Sequence, residues 1–213
     1  MIGDPIDPSA ADAELVRVLS EEVLRLATGR SSRLVVAIAG ESGSGKSVLA
    51  AALARALNHR NCPAVVFQQD DYFFWPPRTN DRLRREHFNH VGPGEVNLAL
   101  LAQHILAFKT GQHRVVKPLV HYQENQIGEE EVALNRFRVL IVEGTYVLYL
   151  PVADLRIFLE RDYRQTRADR AQRGREAPGP FIERVLEKEH RLIQPQRVLA
   201  THLVGADFRL IPR

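Results

Sequence analysis

The chain has 213 residues, of which 45% are hydrophobic and 26% charged, and its formal net charge at pH 7 is +3. These values are those of an ordinary globular protein, and no apolar stretch is long enough to span a bilayer, which excludes a membrane anchor. The amino terminus has acidic residues and prolines where a secretory signal has a basic segment and an apolar core, so we expect a cytoplasmic protein.

The first third of the chain has the pattern of a helix followed by a strand, a loop, a helix and a strand. Apolar residues recur at helical spacing over 9–28, with Ser9 or Asp12 as the N-cap. An apolar run at 34–39, a helical pattern at 46–57 and a second apolar run at 64–67 follow. This order predicts a parallel crossover unit, with the first helix packed outside it.

The rest of the chain continues the alternation of helices and strands. The prolines after Trp75 predict an irregular segment through Arg85, and Pro118 predicts an edge strand or hairpin over 115–122. Further helices are predicted at 96–108, 161–172 and 181–193, strands at 139–142, 155–159 and 208–211, and a flexible stretch at 174–180.

The summed pattern predicts an α/β fold with a doubly wound, mostly parallel sheet flanked by helices. We expect a single domain over 1–213, in which 1–30 contribute an N-terminal helix and 160–180 a lid.

The segment Gly40–Ser47 reads GESGSGKS and lies between a predicted strand and a predicted helix. This is the phosphate-binding P-loop pattern in its required context, although a plain glycine-rich turn is the alternative. In a P-loop, Lys46 reaches the outer phosphates of a nucleoside triphosphate and the Ser47 hydroxyl binds Mg²⁺. The predicted nucleotide-binding residues of this segment are Gly40, Ser42, Gly43, Ser44, Gly45, Lys46, Ser47 and Val48.

Acidic residues follow two other predicted strands. Asp70 and Asp71 come after the second strand, and Glu143 ends the run at 139–142. Ligands of open parallel sheets bind beyond the carboxyl ends of the strands, so we expect these acids near the phosphates. Either aspartate could accept the proton of an attacking hydroxyl, with Glu143 near the metal; a turn-forming pair of aspartates is the alternative.

Arginines form two clusters. One comprises Arg82, Arg84 and Arg85, and the other has six arginines between Arg161 and Arg175. Such clusters bind nucleic-acid backbones or the phosphates of a small ligand, and the P-loop favours the small ligand. The second cluster predicts a mobile lid that neutralises charge and excludes water, or else a solvated helix face with local ion pairs.

The histidines do not have the spacing of a zinc site. His90 and His121 could contact a substrate, or they could be surface or capping residues, and the sequence leaves both interpretations open.

Taken together, the motifs resemble the uridine kinase and phosphoribulokinase group of P-loop kinases from about residue 34 onward. The matching segments are GESGSGKS at 40–47, QDDYF at 69–73, HFNH at 87–90, VLIVEGTYVL at 139–148, RIFLE at 156–160 and DRAQRGR at 169–175. The QDDYF segment, followed closely by Pro76, is also similar to nicotinamide riboside kinases.

The resemblance implies transfer of the γ-phosphate of ATP, with Mg²⁺, to a hydroxyl of a small nucleoside-like or sugar-like molecule, here called the phosphoryl acceptor. It implies Asp70 as the base, Glu143 as the acid near magnesium and Arg173 in the lid. Further nucleotide-binding residues are then Arg170 and Arg175, and the residues expected to bind the phosphoryl acceptor are Asp70, Tyr72, Asn89, His90, His121 and Arg167.

The chain departs from uridine kinases at three positions. Asn89 stands where they have an aspartate that holds the sugar, and Val120 and Asn125 stand where they have the tyrosine and histidine that hold the pyrimidine. These changes remove the expected stacking and hydrogen bonds to uracil and weaken the prediction of uridine as the phosphoryl acceptor. Glu41, an acid inside the P-loop, has no explanation in the sequence.

Two other classes compete with a kinase: a P-loop switch or binding module, and a nucleic-acid-binding NTPase. The NKxD string of guanine-specific switches does not occur. We therefore predict ATP and a small molecule as partners, without nucleic acid or membrane, and allow for a homo-oligomer.

Overall fold

The computed structural model describes residues 1–3, 6–30, 32–151, 153–173 and 179–212. The strands are β1 (Leu34–Gly40), β2 (Ala64–Gln68), β3 (Arg114–His121), β4 (Gln126–Ala133), β5 (Val139–Gly144), β6 (Leu155–Leu159), β7 (His202–Val204) and β8 (Leu210–Ile211). The helices are α1 (Ala13–Ala27), α2 (Lys46–His59), α3 (Pro77–Glu86), α4 (Leu98–Lys109), α5 (Arg167–Arg173) and α6 (Pro180–Ile193).

Six strands form the central sheet in the order β2-β5-β1-β6-β7-β8. Neighbouring strands from β2 to β7 are parallel, whereas the edge strand β8 runs antiparallel to β7. The predicted α/β fold with a mostly parallel sheet is confirmed. Because β5 lies between β2 and β1 and all three strands are parallel, their carboxyl ends lie side by side. This brings the predicted acids to the P-loop.

Both faces of the sheet are covered. The strands β1 and β5 are buried along their whole length, as expected for apolar runs between two helical layers. One core lies on the side of α4 and includes Phe67, Phe108 and Phe158. The other lies on the side of α1 and α2 and includes Leu19 and Leu53.

The strands β3 and β4 form a separate antiparallel hairpin, from Arg114 opposite Ala133 to His121 opposite Gln126. The hairpin expected around Pro118 is thus present. Its second strand was not predicted, because consecutive glutamates at 129–131 hide the alternation of a strand.

The prediction of an irregular segment through Arg85 is wrong, because this segment contains α3. Pro77 occupies the first turn of this helix, where a missing N–H costs nothing, and Arg85 pairs with Asp81 one turn earlier at 2.8 Å. The helix has few apolar residues, which is why its pattern was not recognised.

The larger differences from the predicted boundaries have local causes. The first helix starts at Ala13, because the Asp12 side chain accepts the Leu15 amide at 2.8 Å and caps it. The lid helix starts at Arg167, because the Asp162 side chain accepts two backbone amides and forms a turn before it. At the carboxyl end, a turn with Phe208 at φ +60° separates β7, which was not predicted, from a shorter β8.

Within the described ranges, the helices are all too short or too polar to cross a lipid bilayer.

Candidate active site

The P-loop connects β1 to the N-terminus of α2. Gly43 and Gly45 have φ values of +76° and +99°, which L side chains rarely adopt, so the loop depends on glycine at both positions. Lys46 begins α2, and its Nζ donates a hydrogen bond to the Glu41 carbonyl oxygen at 2.8 Å. The buried Ser44 hydroxyl has no hydrogen-bond partner among the described residues. The N–H groups at this end of α2 suit an anion.

The Ser47 hydroxyl donates a hydrogen bond to Oε1 of Glu143 at 2.8 Å, and Nε2 of Gln68 donates to the same oxygen at 3.3 Å. Burial raises the pKa of Glu143 above its ordinary value; the nearby Lys46 ammonium opposes this shift and the Asp70 carboxylate adds to it. The predicted metal-binding residues Ser47, in the first turn of α2, and Glu143, at the end of β5, therefore lie together.

The residues here fit a magnesium ion. A hydroxyl and a carboxylate are the hard oxygen ligands that Mg²⁺ prefers, and Mg²⁺ in kinases takes its other ligands from phosphates and water. Within the described ranges, no group of three or more His, Cys, Asp or Glu residues could hold a metal without such help.

The two adjacent aspartates have different surroundings. Asp70 is half-buried and lines a cavity together with Lys46, Ser47 and Glu143. Asp71 is buried, pairs with Lys117 at 2.8 Å and accepts the Val120 amide at 3.0 Å. Asp70 therefore faces the P-loop, whereas Asp71 anchors the β3–β4 hairpin.

The cavity has a volume of about 500 Å³ and extends from the P-loop past Asp70. Beyond Asp70 its walls come from the segment after β2, from α3, from the loop after β5 and from α6. The side chains that line this part include Phe73, Trp75, Asn80, Arg84, Tyr146 and Glu189. The space is therefore large enough for a small molecule beside the P-loop.

A polar network braces one wall of this cavity. Arg84 on α3 pairs with Glu95 at 2.5 Å and with Glu189 on α6 at 3.0 Å. The Asn80 amide donates to Glu95 at 3.3 Å, and its oxygen lies 2.9 Å from Nε2 of His90. The arginine cluster of α3 is thus balanced by acids and helps to build the wall.

Five residues expected to bind the phosphoryl acceptor are not among the described residues that line the cavity: Tyr72, Asn89, His90, His121 and Arg167. The Tyr72 hydroxyl is buried against Nδ1 of His104 at 3.0 Å, and Asn89 is exposed. His90 supports Asn80 from behind, and His121 packs on the hairpin. Their predicted roles rest on the sequence alone.

The first, described part of the predicted lid lies against the P-loop. Thr166 donates a hydrogen bond to the Ser42 carbonyl at 2.9 Å, and a Cβ added at Gly43 would lie 2.8 Å from Cγ of Arg170. Arg170 itself donates to the Thr166 hydroxyl at 2.8 Å. Arg167 is exposed, 3.8 Å from Glu183. The predicted lid residues Arg173, in its side chain, and Arg175 lie outside the described part of the chain.

The structure explains Glu41, the acid for which the sequence offered no reason. Its side chain is 2% exposed and accepts the Tyr163 amide at 2.7 Å and the Gln194 amide at 2.8 Å. Nδ1 of His190 lies 2.7 Å from the same carboxylate. Glu41 therefore points away from the phosphate side and ties the P-loop to the base of the lid and to α6.

Sequence reasoning missed Trp75, Tyr146 and Asn80 as cavity residues. Trp75 served only as a marker of irregular structure, and Tyr146 only as part of a matching segment. The available signal was closeness in the sequence: Trp75 comes five residues after the predicted base Asp70, and Tyr146 comes three residues after the predicted acid Glu143.

Three comparisons place these features among known proteins. The model described as "PRK: Phosphoribulokinase / Uridine kinase family" matches residues 35–203. The chain is 30% identical over 204 residues to the bifunctional alpha-galactosidase/sucrose kinase AgaSK of Mediterraneibacter gnavus, covering 89% of this chain and 22% of that protein. It is 26% identical over 184 residues to the uridine kinase of Saccharomyces cerevisiae, covering 80% of this chain and 36% of that protein.

A solved structure described as a "putative fructose transport system kinase" from Silicibacter sp. TM1040 superposes with a TM-score of 0.64 at 25% identity, covering 87% of this chain and 93% of that one. The chain thus spans roughly a fifth and a third of the two sequence relatives, and nearly the whole of the structural one.

Proposed function

The chain belongs to the Phosphoribulokinase / Uridine kinase family, and on that premise we propose that it transfers the γ-phosphate of ATP to a hydroxyl group of a small molecule. The observation that carries the proposal is the placement of Asp70 in one cavity with Lys46, Ser47 and Glu143. A carboxylate, an ammonium and a metal-binding pair around one space are the parts that phosphoryl transfer needs.

The residues divide the work as follows. The P-loop amides and Lys46 hold the phosphates, and the Asp70 carboxylate accepts the proton of the attacking hydroxyl. That hydroxyl oxygen forms a bond to the γ-phosphorus, while the bond between this phosphorus and the bridging oxygen breaks and ADP leaves. Arg170 lies against the P-loop, and the lid to which it belongs serves to exclude water, which would compete as the attacking group.

Ser47 and Glu143 would hold Mg²⁺, directly or through its bound water. The ion supplies neutralisation of the phosphate charge.

The names of the relatives support a hydroxyl-bearing phosphoryl acceptor. Sucrose, uridine and fructose occur in them, and all three molecules carry several hydroxyl groups. The changes at Val120 and Asn125 favour a sugar-like over a pyrimidine-bearing molecule. Val120 cannot stack on a pyrimidine, and the Asn125 side-chain oxygen already accepts a hydrogen bond from the Arg78 backbone amide at 2.7 Å.

The test is incubation of the protein with ATP and Mg²⁺ against uridine, nicotinamide riboside, pantothenate, sugar acids, hexoses and sucrose, with products identified by mass. The expected result is one class of phosphorylated product together with ADP. ATP binding without product from any member of the panel would contradict the proposal and favour a P-loop switch.

A further inference from the structure

Tyr146 has a buried side-chain hydroxyl at the wall of the cavity, and within the described ranges this hydroxyl makes no hydrogen bond. Its backbone amide donates to Oε1 of Gln69 at 2.7 Å, which fixes the loop directly after Glu143. Its side chain is 1% exposed, lines the cavity, and has no hydrogen-bond partner for the hydroxyl among the described residues. Buried polar groups are almost always paired, because leaving one unpaired is costly. A partner from outside the chain is therefore the expected complement.

The neighbouring polar groups already have partners. Arg84 is held by Glu95 and Glu189, and both ends of the Asn80 amide are engaged. Burial, and the carboxylates of Glu189 and Glu95, raise the pKa of Tyr146. The hydroxyl consequently stays protonated at neutral pH and can both donate and accept a hydrogen bond.

Trp75 adds an apolar surface to the same cavity. Trp75 is 50% exposed, although large aromatic side chains are normally buried. Phe73, two residues earlier in the chain, also lines the cavity. A rigid indole face of this kind covers the apolar face of a ligand at small entropic cost.

On the basis of the proposed kinase function, we infer that Tyr146 and Trp75 form the binding site for the phosphoryl acceptor, and that this molecule is a neutral saccharide or sugar alcohol. Tyr146 hydrogen-bonds one of its hydroxyl groups, and Trp75 packs on its C–H face. Neutrality follows from the wall around Tyr146, where Arg84 is paired with two acids and Arg85 with Asp81. Arg78 also lines the cavity, and its guanidinium donates to the Gln123 carbonyl oxygen at 3.1 Å. A carboxylate or phosphate would have to compete with these contacts.

The composition of the chain supplies a direct probe. Trp75 is its single tryptophan, so intrinsic tryptophan fluorescence reports binding at this position without any phosphoryl transfer. We expect a saturable fluorescence change when a neutral sugar or sugar alcohol is added to the ATP-free protein, and no such change with a sugar acid of the same size.

The decisive variant is Tyr146→Phe. We expect the dissociation constant and the KM of the sugar to rise roughly 10-fold to 100-fold, with the KM of ATP unchanged. Because the described part of the chain offers this hydroxyl no partner, the melting temperature should stay the same or rise. A merely structural Tyr146 would give the opposite pattern, a lower melting temperature with unchanged sugar affinity.

Two controls sharpen the result. Tyr149→Phe removes a more exposed hydroxyl, which donates to the Leu192 carbonyl at 3.0 Å, and should leave sugar affinity unchanged. A series of monodeoxy sugars should contain one that the wild type binds weakly compared with the parent, and Tyr146→Phe should bind that analogue and the parent alike.

The outcomes separate this inference from the kinase proposal. Phosphoryl transfer to a sugar with unchanged affinity in Tyr146→Phe would overturn the site and keep the kinase. Transfer only to an anionic or aromatic molecule would overturn the substrate class and keep the kinase. A sugar-dependent fluorescence change that Tyr146→Phe weakens, without any phosphorylated product, would support the site and overturn the kinase. Neither fluorescence change nor product with any neutral sugar would overturn the inference.

Discussion

The buried Asp71 carboxylate contacts the Lys117 ammonium at 2.8 Å, with side-chain exposures of 2% and 5%. The same carboxylate accepts the Val120 amide, so two adjacent bonds join the end of β2 to the β3–β4 hairpin. The neighbouring residue, Asp70, faces the P-loop instead. Two consecutive aspartates thus have different roles: Asp71 stabilises the fold, and Asp70 is placed for chemistry.

This separation predicts opposite phenotypes for the two aspartates. Asp71→Ala leaves the Lys117 charge buried with less compensation, which costs about 3–5 kcal/mol. For a chain of this size the melting temperature should fall by on the order of 10 °C. Asp70→Ala should melt close to the wild type. Equal melting temperatures for both variants in calorimetry would contradict the assignment.

Ser47→Ala tests the metal-binding pair. It removes the hydroxyl that lies 2.8 Å from Glu143, so we expect the Mg²⁺ concentration for half-maximal activity to rise roughly tenfold. Ser47→Thr keeps a hydroxyl and serves as the matched control. An unchanged magnesium titration in Ser47→Ala would exclude this hydroxyl as a ligand.

Glu41→Gln tests the connection between the P-loop, the lid and α6. The amide nitrogen of glutamine cannot accept a hydrogen bond, so at least one partner among Tyr163, Gln194 and His190 is lost. The free energy of unfolding should fall by about 1–3 kcal/mol. Urea unfolding measures it.

The control for Glu41 is Glu14→Gln, which breaks an exposed pair with Arg17 and should leave the free energy of unfolding nearly unchanged. Two variants of equal stability would show that the buried carboxylate of Glu41 does not stabilise the fold.

His104 makes stability depend on pH. Burial, and the nearby Lys117 charge, lower the pKa of His104 below its ordinary value of 6.5. The unfolded chain therefore binds a proton that the folded chain does not, so this contribution is fully present above about pH 6.5 and is lost as the pH falls towards the folded pKa. The melting temperature should decrease on acidification, and less so in His104→Gln. His59→Gln, at an exposed position, should retain the wild-type profile.

Strands and motifs could be predicted because local pattern determines them. β6 matches its predicted bounds, and β1 and β5 differ from theirs by one or two residues, since continuous apolar runs are typical of buried parallel strands. The P-loop and the acids after β2 and β5 followed from the rule that ligands bind at the carboxyl ends of strands.

Other features depend on contacts that no local pattern contains. The distinction between Asp70 and Asp71 depends on Lys117, 46 residues away from Asp71. The role of Glu41 depends on His190 and Gln194, 149 and 153 residues away. The predicted contact of Asn89 came from an aligned motif and that of His121 from its residue type alone, and the structure places other side chains along the cavity.

The central claim is that the Asp70 carboxylate takes the proton of the attacking hydroxyl. It is tested most directly by Asp70→Asn, which has nearly the same shape and cannot act as a base, measured as the single-turnover rate of phosphoryl transfer alongside ATP affinity. We expect the rate to fall at least about 100-fold with ATP affinity unchanged. A rate within a few-fold of the wild type, at unchanged ATP affinity, would contradict it.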